Sequence, residues 1–196
     1  MPRTEEQFEE IRETRRQQIM DAALELFGNE GYYTTSISKI AAKAGISKGL
    51  MYNYFTGKEE LVKAIIHEGF EQIMNTFDPN KDGILTDEEL VYFLEENFRL
   101  IKENIAYWKL YYAVMMQPAV YKLVVEEYTK VVPELLKVFT EFFRKRGAEK
   151  PELEALYFGA LMDGICFNFV LSPEIFPIEE MKKFILKKIH ESFKHK

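Results

Sequence analysis

The sequence predicts an all-α protein, and three observations carry that prediction. Apolar residues recur three and four positions apart along nearly all of the 196 residues. No stretch alternates apolar with polar residues over a convincing strand length, and glycine and proline punctuate the periodic segments. With 47% hydrophobic and 30% charged residues the chain has the balance of a globular protein able to bury a core, not of a disordered one. The single cysteine, Cys166, excludes an internal disulfide framework and a cysteine-based zinc cluster. No run approaches the ~18 apolar residues of a membrane span, and the acidic start (Glu5, Glu6, Glu9, Glu10) is no signal peptide. A cytoplasmic protein without membrane partners is expected.

The elements follow in order. Ile19, Ala22, Ala23, Leu26 and Phe27 form one helical stripe that Gly31 ends. Ile37, Ile40, Ala41 and Ala44 repeat the spacing on a short second helix, with Thr35 as expected N-cap and Gly45 as its break. Ser47 caps a third helix expected to reach about Phe55. Lys58 opens a long one through Leu61, Ile65, Ile66, Phe70, Ile73 and Phe77. Further helices are expected near 87–104, 105–116, 119–146, 152–171 and 178–193, with Pro118, Pro133, Pro151, Pro173 and Pro177 marking starts, a kink or loops.

Charge is divided unevenly. The net charge is −6, yet the stretch from Gly31 to Lys58 holds Lys39, Lys43, Lys48 and Lys58 and no carboxylate. Such a split fits a small module that faces a polyanion, attached to an acidic body. Residues 36–55 have the layout of a helix-turn-helix. Gly45 frees the turn Ala44-Gly45-Ile46-Ser47, and Ile46 would bury between the two helices. In that unit the second helix enters the DNA major groove, where Lys48 and Tyr52 suit phosphate and Asn53 an adenine edge. By spacing alone, a plain helical hairpin with solvated lysines fits equally.

The motifs themselves go further. Ile19 to Phe27 with Gly31-Tyr32, then Thr34-Thr35-Ser36-Ile37, Ile40-Ala41, Ala44 to Gly49, Tyr52 to Phe55 and Lys58 to Leu61 resemble the DNA-binding region of the TetR family of bacterial transcriptional regulators, nearly continuously from Arg15 to Leu61. The resemblance implies a three-helix DNA-binding domain over residues 1–60. It also implies a divergent helical domain over 61–196 for dimerisation and ligand sensing, in a homodimer that joins through its last two helices. It places Thr35, Ser36, Ser47, Lys48, Gly49, Tyr52, Asn53, Tyr54 and Lys58 at the operator DNA. Two positions depart from the family pattern. Asn53 stands where a histidine is frequent, and Gly57 where a capping serine or asparagine is usual, leaving Thr56 with Glu59 as a substitute cap.

Residues 78–89 match a calcium loop that this resemblance does not imply. Asp78, Asn80, Asp82, Ile84 (through its carbonyl), Thr86 and Glu89 occupy the ligand positions, and Gly83 the sharp turn. Ca2+ or Mg2+ is the expected cation. Thr86 with Glu89 also reads as a capping box, so a helical connector remains the competing reading. Downstream, the chain is rich in aromatic residues and methionine. Most of these are core; Trp108, Tyr111, Tyr112, Met115, Gln117 and Asn168 are candidates to line a pocket for an unknown small molecule. No catalytic motif surrounds His67, His190, His195 or Cys166. The expectation is a non-enzymatic, ligand-released repressor on a palindromic operator. The alternative is a calcium-sensing adaptor that acts through protein partners.

Overall fold

The computed structural model describes residues 4–77, 80 and 82–192. Among them there are nine helices and no strand: α1 (Glu5–Glu30), α2 (Ile37–Lys43), α3 (Lys48–Met51), α4 (Lys58–Met74), α5 (Asp87–Glu103), α6 (Ile105–Met115), α7 (Tyr121–Lys145), α8 (Pro151–Leu171) and α9 (Ile178–Ser192). The chain divides into two compact units, one of Met1–Gly69 with Leu110–Glu127, the other of Phe70–Lys109 with Tyr128–Lys196.

The first unit is built on the buried stripe of α1, where Ile19, Ala23 and Phe27 meet a core completed by Ile40, Met51, Phe55, Leu61, Ile65 and Ile66. α1 begins about four turns before that stripe, at a capping box in which Thr4 and Gln7 satisfy each other's backbone amides. The cap of α2 is Ser36, whose hydroxyl accepts from the Lys39 amide at 3.2 Å. Thr35, expected in that role, is buried instead, and its hydroxyl donates to the carbonyls of Leu26 and Gly31. Ser47 caps α3 as expected, accepting from the Leu50 amide at 3.1 Å. α3 stops at Met51, not at Phe55; Tyr52 to Tyr54 continue as turns that bring Phe55 into the core. Before α4, Thr56 acts as a donor and not as the expected cap: its amide and hydroxyl both donate to Glu60 Oε2 at 2.6 Å, and the Leu61 amide bonds to the Gly57 carbonyl at 3.2 Å.

Residues 110–127 complete this unit. Leu110 fills the space left by Gly28, where a Cβ would lie 2.7 Å from its Cδ2, and Tyr111 fills that left by Gly69. The Tyr111 hydroxyl donates to the Ile66 carbonyl at 2.9 Å.

The second unit has a core of phenylalanine. Phe139 lies 4.7 Å from Phe158, 5.0 Å from Phe77 and 5.9 Å from Phe93, centroid to centroid. α5 packs with α8 and α9. A buried hydrogen bond from the Asn97 amide to Thr76 Oγ1, 2.8 Å long, fixes the chain just before the 78–89 segment. Arg146 pairs with Asp87 and covers the Phe142 ring at 3.5 Å.

Among the described residues α8 is long and apolar enough to cross a membrane by length and composition. Its periodicity explains why: Ala155, Phe158, Met162, Ile165, Cys166 and Phe169 are buried, while Leu153, Leu156, Tyr157 and Leu171 on its other side are exposed and equally apolar.

Candidate nucleic-acid interface

The helix-turn-helix is a packing consequence of a few residues. Gly45, at φ 67°, takes the left-handed conformation that turns the chain between α2 and α3, closed by the Ile46 amide on the Ala41 carbonyl at 3.0 Å. Met51 and Phe55 are buried, which turns Lys48, Gly49, Leu50, Tyr52 and Asn53 outward. Tyr52 is half exposed and Tyr54 less so.

Electrostatics separate the four lysines. Lys39 pairs with Glu30, and Lys43 with Glu25 at 2.7 Å, so α1 neutralises both cations of α2. Lys58 donates to the carbonyls of Tyr32 at 2.7 Å and Tyr33 at 3.4 Å and sits 4.6 Å from the Tyr32 ring centroid. Among the described residues Lys48 has no carboxylate partner. The exposed side of α3 therefore combines one uncompensated cation, a tyrosine hydroxyl and an asparagine amide on a cap-fixed turn. That is the donor set which phosphate oxygens and base edges accept.

The other expected residues divide. Ser36 and Ser47 hold helix starts with their hydroxyls, and Thr35 keeps its own inside the unit. Ser36 and Ser47 accept backbone amides through their oxygens and keep their hydroxyl protons to donate, whereas Thr35 donates its own to carbonyls inside the unit.

The candidate pocket residues are divided between the two units. Gln117 is a structural clamp: its Oε1 accepts from the Tyr32 amide at 2.7 Å and its Nε2 donates to the Phe27 carbonyl at 2.8 Å. Tyr111 is occupied with Ile66 and Gly69, while Tyr112 and Met115 are part-buried in the same unit. In the second unit Trp108 is buried, and Asn168 is exposed with its amide on the Gly164 carbonyl at 2.6 Å. Burial, then the nearby Asp163, pushes the Cys166 thiol up to about 12, so it carries no nucleophilic chemistry.

The calcium-loop residues are only partly described, because Asp78 lies outside the described residues. Gly83 takes φ 72° as the loop turn needs. Asp82 Oδ1 accepts from the Ile84 amide at 2.8 Å, and Asn80 and Asp82 bond to each other. Glu89 Oε2 accepts from the Thr86 amide at 2.8 Å while Thr86 Oγ1 accepts from Glu89, a complete capping box. Among the described residues no three His, Cys, Asp or Glu side chains stand together as a metal site.

Residues 19–65 match the family model of bacterial regulatory proteins of the tetR family. The fatty acid metabolism regulator protein of Bacillus subtilis is 32% identical over 85 residues, 43% of this chain and 44% of that protein. The match thus spans less than half of that relative. The HTH-type transcriptional regulator BetI of Proteus mirabilis is 29% identical over 185 residues, 86% of each chain. Among solved structures, FadR of Bacillus subtilis in complex with stearoyl-CoA superposes with a TM-score of 0.69 at 21% identity, covering 87% of this chain and 95% of that one.

Proposed function

The chain belongs to the tetR family of bacterial regulatory proteins, and from that premise we propose that it represses transcription as a homodimer on a palindromic DNA operator. Its relatives are transcription regulators, not enzymes. The observation that carries the proposal is the outward side of α3, with Lys48 uncompensated and Tyr52 and Asn53 beside it. Two such helices, one per protomer, would enter successive major grooves ~34 Å apart. A protein that does this works where the chromosome is, in the cytoplasm.

Dimerisation through the last two helices is supported by the apolar, exposed side of α8, where Leu153, Leu156 and Tyr157 have the character of a core without a cover. Gly159 and Gly164 add room, since a Cβ at either would meet nothing within 4 Å. Release follows from ligand binding to the helical C-terminal part, by favouring an arrangement in which the two recognition helices no longer fit their grooves. Gln117 and Tyr111 support this, because they tie the α6–α7 region to α1 and α4 of the DNA-binding unit. Stearoyl-CoA, bound by the Bacillus subtilis FadR, is the first effector to try.

The test is binding of the full chain to its own upstream DNA across a salt series. Lys48→Ala should weaken binding to every sequence and flatten the log–log salt slope by about one unit per half-site contact. An unchanged slope removes Lys48 from the interface; no binding by the wild-type chain defeats the proposal.

We also propose that residues 78–89 bind Ca2+ or Mg2+. The support is the ligand spacing, the Gly83 turn and the local bond of the Ile84 amide to Asp82 Oδ1; Glu89 would exchange its cap for the cation.

A further inference from the structure

Two neighbouring residues on the outward side of α3 have no sufficient explanation inside the chain. Gly49 is helical at a backbone conformation any L residue adopts, and a Cβ built on it would meet no atom within 4 Å. Alanine would fit there and favour the helix, so neither folding nor packing calls for glycine. Leu50 follows, 39% exposed on a four-residue helix whose inward anchors are Met51 and Phe55. Its amide donates to Ser47 Oγ at 3.1 Å, which fixes the backbone from which its side chain leaves. It lines a groove of about 410 Å³ with Phe8, Glu9, Ile11, Arg12, Asn53 and Tyr54. Phe8 and Ile11 are themselves exposed, so that groove leaves Leu50 open to solvent.

Resting on the DNA-binding reading above, we propose that Gly49 and Leu50 together read a thymine. The side chain of Leu50 has no donor or acceptor and can discriminate bases only by apolar contact. In the major groove thymine is the base that offers a methyl group. Gly49 leaves the clearance that lets α3 approach the base edges, and Leu50 then packs its methyl groups against the thymine C5-methyl. Lys48 and Asn53 on either side supply the polar contacts that set the register.

The test begins with the full-length protein selecting its tightest duplex from a random-sequence pool. Each thymine of that duplex is then replaced singly by deoxyuridine, which removes the methyl and keeps every hydrogen-bonding group. At one thymine per half-site, wild-type binding should weaken about four-fold, the worth of one methyl withdrawn from water. Leu50→Ala should bind the two duplexes alike. Gly49→Ala should melt at a higher temperature than wild type and bind the selected duplex more weakly. If no methyl effect depends on Leu50, or if Leu50→Ala lowers the melting temperature with methyl sensitivity intact, the thymine contact is refuted and Leu50 serves packing against Phe8 and Ile11. Gly49→Ala binding as tightly as wild type refutes the clearance role. Lys48→Ala separates this inference from the reading beneath it. Weakened binding in that variant with a flat deoxyuridine series defeats the thymine contact alone. Failure to select any duplex defeats both.

Discussion

Lys48 and Lys58 are alike in type and differ in what surrounds them. The ammonium of Lys58 already serves two carbonyls and a ring inside its own unit, at the junction of the α1–α2 turn with the start of α4. Removing it leaves the Tyr32 carbonyl without its charged donor, a loss of about 1 kcal/mol once partial solvent access is allowed for. Lys58→Ala is therefore expected to lower the melting temperature by about 2–4 °C and to leave the salt slope of DNA binding unchanged. Lys48→Ala should do the reverse. Calorimetric melting beside a salt titration measures both, and a reduced slope with unaltered melting would return Lys58 to the phosphate surface. Gln117 makes the same point about what sequence can reveal. Its amide bonds reach back to Phe27 and Tyr32, 90 and 85 positions away. No local pattern marks such a residue, so an amide beside aromatic residues reads as a pocket contact.

At the scale of elements, what was legible follows the range of the forces involved. α1, α2 and the turn at Gly45 are set by spacing of four residues or fewer and by caps, and the motif displays them directly. The end of α3 is set by burial of Phe55, a tertiary demand that helix periodicity does not contain. The 110–127 segment packs with the N-terminal residues through Gly28 and Gly69, and nothing in its own sequence announces those partners. The 78–89 segment carries two patterns at once, and Glu89 belongs to both. Glutamine at N3 keeps a capping box, whereas a calcium ligand must be a carboxylate. Glu89→Gln should thus leave the melting temperature in chelator nearly unchanged and abolish most of the rise produced by millimolar calcium. Thr86→Ala should lower it in chelator, by about 1 kcal/mol of lost cap. Identical wild-type melting in calcium and in chelator would leave the capping box as the sole role of this segment.

For the whole molecule, the decisive contrast is between two apolar surfaces of the last two helices. Ile185 of α9 is 2% exposed and belongs to the core of its own chain, together with the buried side of α8. Leu156 and Tyr157 of α8 are 50% and 65% exposed, so a charge there stays within reach of water. Were the protein a monomer, that side of α8 would stand in water as an apolar strip, the kind of surface that specific association removes. In the proposed dimer a second copy related by a two-fold axis would cover it with the same strip, and a stable pair needs a buried area of roughly 1,200–2,000 Å². Ile185→Glu should consequently unfold the chain, because it places a charge in a core without a partner. The double substitution Leu156→Glu with Tyr157→Glu should keep the helical circular dichroism and give a folded monomer by light scattering. That monomer should also bind a palindromic duplex far more weakly than wild type while keeping a shallower salt dependence, since one half-site is engaged at a time. A dimer mass retained in the double variant would place the interface on another surface and leave the exposed side of α8 to be explained anew.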